Sequence, residues 1–290
     1  MADYGLPENP FDFENRNGQW DDEVEVKYDY VILNVINRGS FGVVYQARDT
    51  RTKETVALKE ELRGLTRSTK MEIGILEFLQ PHPNIVGFKR PLLANGRIFV
   101  VMEHVESDLK TLREQMENPF PPKLIKTLIF EILKGVAYLH ENGVMHRDLK
   151  PANVLYGREG RVKICDFGLA ADVRLPWGLG VGTRIYKAPE TLCEWEGCTD
   201  KVDIWSVGCM MAQFVLDAPL FHARSDEHQL ECIQDVLCGR TNLIELIVSI
   251  SGETMLSQSG LNLLKKLLAY YPCERISAIE ALEHPWFTED

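Results

Sequence analysis

The chain predicts an α+β fold in two lobes, a small strand-rich N-lobe followed by a larger helical C-lobe. Two patterns predict it. The first third carries short β-branched runs separated by turn residues, and the remainder carries apolar residues at helical spacing.

Taken in order, Tyr30 to Ile36 is apolar and β-branched, and a turn-like Asn-Arg-Gly-Ser follows it. Val43-Val44-Tyr45 and Val56-Ala57-Leu58 lie on either side of a polar turn from Asp49 to Lys53, so three antiparallel strands are expected. Thr66 to Leu79 places Met71, Ile75, Phe78 and Leu79 near helical spacing, and Pro81 ends that helix. Ile98 to Val101 reads as a buried strand. A long helix follows Pro121-Pro122, with Leu124, Leu128, Ile132, Val136 and Leu139 on one face and a stop at Asn142-Gly143. From Asp203 the pattern is helical almost to the end. The domain reading is a tail over 1–27 and one domain over 28–287, with an N-lobe about 28–103, a C-lobe about 108–287 and a joint near Glu103 to Ser107.

Charge and composition exclude several functions. The net charge of −11 over 290 residues argues against a nucleic-acid binder held by phosphate contacts. No apolar run approaches a membrane span, so no membrane role is expected. The first residues, MADYGLPENP, have neither a basic start nor an apolar stretch, and no secretory signal is read there. The seven scattered cysteines then read as reduced thiols of an intracellular protein, nuclear or cytoplasmic. Cys193 and Cys198 lack a second pair or a nearby histidine to complete a zinc set. Residues 1–27 hold eight acids against Arg16 and Lys27, a balance of −6, and read as a mostly disordered tail whose Phe11, Phe13 and Trp20 could dock on the body.

Chemistry is concentrated in four places. Asn37-Arg38-Gly39-Ser40-Phe41-Gly42 joins two expected strands, and glycines there let backbone N–H groups approach phosphate oxygens, although any hairpin also needs glycine. Lys59 follows on a strand, with Glu72 on the next helix as a partner. His146-Arg147-Asp148-Leu149-Lys150-Pro151-Ala152-Asn153 places a carboxylate, a cation and an amide in one loop. Asp166, in Cys165-Asp166-Phe167-Gly168-Leu169, lies eighteen residues after Asp148, room for two strands and a turn. Phosphoryl transfer needs mostly positioning and charge neutralisation, and these are the parts it uses. Ala188-Pro189-Glu190 and Asp203-Ile204-Trp205-Ser206 complete an ordered series that chance would not supply.

That series resembles the eukaryotic protein kinases over roughly Tyr28 to Phe287. Lys150, two residues after Asp148, resembles the serine/threonine class. Val105-Glu106-Ser107-Asp108-Leu109-Lys110, Lys163-Ile164-Cys165-Asp166-Phe167-Gly168-Leu169-Ala170 and Asp203-Ile204-Trp205-Ser206-Val207-Gly208-Cys209 are similar to the cyclin-dependent kinases, as are Arg275-Ile276-Ser277-Ala278 and His284-Pro285-Trp286-Phe287. The resemblance implies a two-lobed protein kinase fold, ATP and Mg²⁺ as cofactors, protein substrates, and a cyclin-like regulatory subunit as a candidate partner. It implies that Lys59, paired with Glu72, holds the α- and β-phosphates, and that Asp148 orients or accepts the substrate hydroxyl proton while Lys150 steadies the γ-phosphate. It gives Asn153 and Asp166 to the metal, and Gly39 and Gly42 to the phosphate loop. Val44, Ala57 and Leu155 would sandwich the adenine, backbone groups of Glu103 and Val105 would read its edge, and Met102 would guard the back of the pocket. Leu76, Phe88, His146 and Phe167 would stack as a spine anchored by Asp203, and Glu190 would pair with Arg275.

The chain also departs from that family. Asn37 stands where the first loop glycine is usual, and Asn tolerates positive φ. Phe41 replaces the tyrosine used for inhibitory phosphorylation, with Ser40 beside it. Thr66 to Glu72 does not spell the usual cyclin-contact helix, and Lys187 replaces an arginine. The stretch from Phe221 to Leu263 is shorter than in the related kinases. Leu169 to Gly182 reads LAADVRLPWGLGVG, without Ser, Thr or Tyr, and Gly178 falls where an activating threonine is expected. Met71 and Ala171 stand where the relatives carry phosphate-gathering arginines, so Thr183 is read as a contact to Asp148 and Lys150. The alternative to an active kinase is a pseudokinase scaffold that binds partners with weak or no phosphoryl transfer.

Overall fold

The computed structural model describes residues 29–39, 42–175, 180–193, 199–239, 242–251 and 255–289. The expected tail over 1–27 lies outside them, as do Ser40, Phe41, Gly178 and Cys198. The described residues divide into two compact units, one running to Glu106 and taking in Cys165–Gly168, the other running from Ser107 to Ile164 and from Leu169 onward.

Among the described residues, the first unit holds a five-stranded antiparallel sheet and one α-helix. In chain order these are β1 (Tyr30–Arg38), β2 (Gly42–Asp49), β3 (Thr55–Glu61), α1 (Arg67–Phe78), β4 (Phe88–Ala94) and β5 (Arg97–Glu103). The strands lie in the order β1-β2-β3-β5-β4. Strand alternation sends Val56 and Leu58 of β3 into one core with Tyr30, Ala47, Leu92, Phe99 and Val101. It sends Ala57, Lys59 and Glu61 to the opposite face. Helix α1 begins where Thr66, in extended backbone, accepts from the Thr69 amide as an N-cap.

Two of these elements differ from the sequence reading. β4 has no alternating pattern because Lys89, Arg90 and Pro91 interrupt it, yet it pairs with β5. It is an edge strand, where a proline costs no ladder bond on its outer side. Asn37 lies within β1 opposite Val44 and is not among the positive-φ residues, so asparagine's left-handed tolerance is not used there.

The second unit opens with β6 (Ser107–Asp108) and α2 (Leu109–Gln115), and Asp108 caps the helix by accepting from the Thr111 amide. The long α3 (Pro122–Glu141) starts with a proline in its first turn and buries Leu128, Ile132, Val136 and Leu139 as the spacing requires, together with Ile125, Ile129 and Leu133, while Leu124, expected on the same face, is only half-buried. Then follow β7 (Val144–Met145), β8 (Val154–Tyr156), β9 (Val162–Ile164) and β10 (Ala171–Asp172); β8 pairs with β6 and β9, and β10 with β7. Among the described residues the remaining α-helices are α4 (Pro189–Leu192), α5 (Lys201–Leu216), α6 (Asp226–Gln234), α7 (Leu243–Ser251), α8 (Gln258–Leu267) and α9 (Ala278–Leu282). α5 is apolar nearly all round and packs against α3, α7 and α8, so it is the core helix of this unit. Trp205 stacks on Phe221 with centroids 5.8 Å apart, and Phe214 meets Phe120 edge-on at 5.3 Å.

A buried ion pair braces the helical unit. Arg275 has a fully buried side chain that donates to Glu190 at 2.7 and 3.1 Å, and to the carbonyls of Ala269, Lys201 and Tyr270. Its guanidinium also lies 5.1 Å from the centroid of Trp205. With the arginine removed, Glu190 becomes an uncompensated buried carboxylate. Arg275→Met is therefore expected to cost about 3–5 kcal/mol in urea unfolding, and Glu190→Gln with Arg275→Met to cost less than Arg275→Met alone. Equal midpoints for Arg275→Met and the parent would show that the pair contributes nothing.

Candidate active site

In the first unit the site is built on one face of the sheet. Val44 of β2 and Val100 of β5 lie opposite Lys59 of β3, and Met102 lies opposite Ala57, so these side chains share the lysine's face. Gly42 opposes Glu61, and a Cβ there would sit 2.3 Å from the Glu60 carbonyl oxygen, so only glycine fits. Gly39 donates its amide to the Gly42 carbonyl at 2.9 Å. At the end of β5, the Glu103 amide is taken by the Gly87 carbonyl and its carboxylate accepts from the Gly87 amide. Glu103 also pairs with Val56 across the sheet, and Val105 follows it half-buried.

Lys59 is surrounded by acids. Its ammonium donates to both oxygens of Glu72 at 2.6 and 2.7 Å and to Asp166 Oδ1 at 3.1 Å, and it lies 3.3 Å from Glu61 Oε1. Burial works against that charge, but Glu72, Asp166 and Glu61 outweigh it and hold the lysine above its usual pKa. Burial, reinforced by Asp166 and Glu61, pushes Glu72 up to about 7 against the pull of Lys59. Asp166 takes a left-handed backbone, φ 65°, that few non-glycine residues adopt. Glu61 was not singled out from the sequence. The signal was its place two residues after Lys59, which puts it on the same strand face.

In the second unit the loop after β7 carries Asp148. Asp203, in the first turn of α5 and fully buried, accepts from the amides of His146 and Arg147, both at 2.8 Å, and from His140 Nε2 at 3.0 Å. Burial alone would raise that carboxyl, but the His140 hydrogen bond and charge, with the His146 amide, hold it low. The anchored Arg147 is left-handed, φ 66°, and its Nε donates to the Leu169 carbonyl at 2.7 Å.

Four groups then fix Asp148. Thr183 donates its amide and hydroxyl to Oδ1 at 2.9 and 2.7 Å, and Lys150 donates to Oδ2 at 2.7 Å and to the Thr183 hydroxyl at 2.9 Å. Asn153 donates to the Asp148 carbonyl at 2.9 Å and to Oδ2 at 3.3 Å, which leaves its amide oxygen for a cation. Thr183 reaches this position because Gly182 precedes it at φ 98°, where a Cβ would lie 2.6 Å from the Arg147 carbonyl oxygen. Leu155 lies half-buried on β8. The segment around Thr183 is pinned by charge: Arg174 forks onto buried Asp172, Lys187 reaches the Gly180 carbonyl and Asp226, and Arg184 reaches Asp226. Hydrogen bonds from Lys187 and Arg184 hold Asp226 below the ordinary carboxylate value.

Asp166 in the first unit and Asn153 in the second each carry side-chain oxygens of the kind Mg²⁺ takes. Among the described residues no cluster of three His, Cys, Asp or Glu side chains stands ready for a metal, and no helix is long and apolar enough to cross a membrane.

Residues 30–287 match the family described as protein kinase domain. The chain is 38% identical to cyclin-dependent kinase G-2 of Oryza sativa subsp. japonica over 89% of its length, and spans 41% of that relative. It is 39% identical to cyclin-dependent kinase 11 of Dictyostelium discoideum, covering 89% of this chain and 80% of the relative. With cyclin-dependent kinase 11B of Mus musculus it shares 36% identity over 90% of this chain and 37% of the relative. The chain thus spans about two fifths of the rice and mouse relatives. A family match over nearly all the described residues, and these identities, place the chain: it belongs to the eukaryotic protein kinases and is cyclin-dependent-kinase-like.

Proposed function

We propose that this chain transfers the γ-phosphate of ATP to serine or threonine hydroxyls of protein substrates. One observation carries the reading: Asp148 is held by Lys150, Thr183 and Asn153 in a loop that Asp203 anchors. In this reading the substrate oxygen attacks the γ-phosphorus, the bond to the bridging β,γ-oxygen breaks, ADP leaves, and the hydroxyl proton passes to Asp148. Lys150, fixed by Asp148 and Thr183, supplies positive charge beside the reacting hydroxyl. Lys59 steadies the α- and β-phosphates, Val44, Ala57 and Leu155 take the adenine, and Asn153 and Asp166 are the ligands of Mg²⁺. The metal, when bound, neutralises phosphate charge. A pseudokinase scaffold is not favoured, because no polar group the transfer requires is missing and the relatives are named kinases. A cyclin-like regulatory subunit rests on the relatives' names; α1 presents exposed Arg67 and Lys70, and copurification with cyclins tests the pairing.

Phosphate transfer to a generic basic protein with Mg²⁺-ATP is the direct test. Asp148→Asn is expected to lose at least about a hundredfold in kcat, the scale of one general base. Lys59→Met should lose activity comparably while circular dichroism stays that of the parent. Mg²⁺-ATP at a hundred times its Kd should stabilise the parent by about 2.7 kcal/mol, read as a rise in Tm. Full turnover by Lys59→Met would remove the phosphate role from that residue.

Activity is also expected without a phosphate in the segment that carries Thr183. No Ser, Thr or Tyr lies between Leu169 and Gly182, and Arg174, Arg184 and Lys187 already have carboxylate partners. Protein made in bacteria, shown by mass spectrometry to be unmodified from Leu169 to Lys187, should match the activity of protein treated with an activating kinase. Strict dependence on phosphate at Thr183 contradicts this.

A further inference from the structure

Glu61 is a buried carboxylate that the family reading gives no work. It ends β3 at 7% exposure, and a strand end facing a helix is normally filled by an apolar side chain. Oε1 is buried and 3.3 Å from the Lys59 ammonium, yet receives no hydrogen bond, since that ammonium's donors go to Glu72 and Asp166. Oε2 accepts from the Thr69 hydroxyl at 3.3 Å. Thr69 is itself buried, in the first turn of α1, and its hydroxyl also lies 3.0 Å from the Gly64 carbonyl and 2.9 Å from the Thr66 hydroxyl. A carboxylate so placed costs desolvation that its contacts repay only in part, so stability alone does not account for it.

The connection it spans is short. Only residues 62–66 separate β3 from α1, and they are tied by the Gly64 amide to the Glu61 carbonyl at 3.0 Å and by the Thr66 amide to the Gly64 carbonyl at 2.9 Å. The helix that delivers Glu72 is therefore suspended close to the strand that delivers Lys59, and Glu61 touches both.

We propose that Glu61 is a positioning residue for phosphoryl transfer, one carboxylate that registers helix α1, through Thr69, against the Lys59 ammonium. The proposal rests on the kinase reading above for its consequence, but not for its geometry. Glu72 alone can follow the lysine as the helix shifts, because both its oxygens bind one ammonium. Glu61 contacts the ammonium from the strand and the helix from beneath its first turn, so it penalises that shift. It works through Lys59 and touches no substrate.

The test compares Glu61→Leu, Glu61→Gln, Thr69→Val and the double variant combining Glu61→Leu with Thr69→Val against the parent chain. Tm checks the fold, hydrogen exchange read by mass spectrometry follows residues 67–78, and steady-state kinetics give kcat and the KM for ATP. Glu61→Leu should keep Tm at or above that of the parent, because a poorly partnered buried charge is gone. It should speed exchange in 67–78 severalfold and lower kcat about tenfold with a smaller change in KM. Glu61→Gln keeps an acceptor for Thr69 and should restore most of the exchange protection while recovering only part of kcat. Thr69→Val should act in the same direction as Glu61→Leu, and the double variant should be no worse than Glu61→Leu, since both cut one link. Parent-like exchange in both Glu61→Leu and Thr69→Val overturns the inference whatever the turnover. Parent-like kcat in Glu61→Leu overturns it too, given an active parent. Faster exchange in variants of a parent that transfers no phosphate supports the link and counts against the kinase reading instead.

Discussion

A charge removed from water has to be met by an opposite charge or by several hydrogen bonds, and the rest of this molecule is arranged around where those partners come from. Asp203 is the clearest instance. Completely buried in the first turn of the core helix α5, it finds its partners in two successive amides, of His146 and Arg147, and in His140. Satisfying one carboxylate with two adjacent amides fixes the path of the chain there. Arg147 is left-handed, a conformation costing about 1–3 kcal/mol in a non-glycine residue, and the hydrogen bonds to Asp203 hold it. The next residue is Asp148. Its direction is thus set by a helix whose sequence is otherwise devoted to packing.

The same demand shapes the first unit differently. There the buried cation is Lys59, and its partners come from three separate segments: Glu72 from α1, Glu61 from β3 itself and Asp166 from a short stretch much later in the chain. Three carboxylates stand against one ammonium there, and burial first, then the charges of Asp166 and Glu61, push Glu72 toward neutrality against the pull of Lys59. An excess of this kind is poor design for stability alone.

How much of this could be read from the residues depended on whether the signal was periodic, ordinal or three-dimensional. β1 to β3, α1 and α3 follow from spacing and caps, with Thr66 and Asn142 near the expected ends. β4 did not, because its charged and proline residues are tolerated by an edge position that only the assembled sheet defines. The loop motifs at Asp148 and Asp166 were legible from their order along the chain. Thr183 was legible from what its neighbours lack. The left-handed backbones of Arg147 and Asp166 were not, since neither residue type announces that conformation, and strand pairing made Asn37 extended despite its type. Glu61 is the intermediate case. Period two places it beside Lys59, but Glu60 next to it is equally acidic and equally buried, and finds Tyr45 and Arg97 on the other face.

That contrast between Glu60 and Glu61 separates an acid that packs from an acid that positions. Glu60 receives a hydroxyl and a guanidinium whose charge reaches the surface, so its burial is met locally. Glu61 turns one oxygen to a shared lysine and the other to a threonine that also has the Gly64 carbonyl within reach. Neither contact is complete, and both come from elements whose relative placement decides whether Lys59 and Glu72 meet. A charged group at such a junction ties the energy of the pair to the helix position, which an apolar one would not do. Two neighbouring glutamates of the same strand are therefore chemically alike and mechanically different, and the difference lies in which face of β3 each occupies.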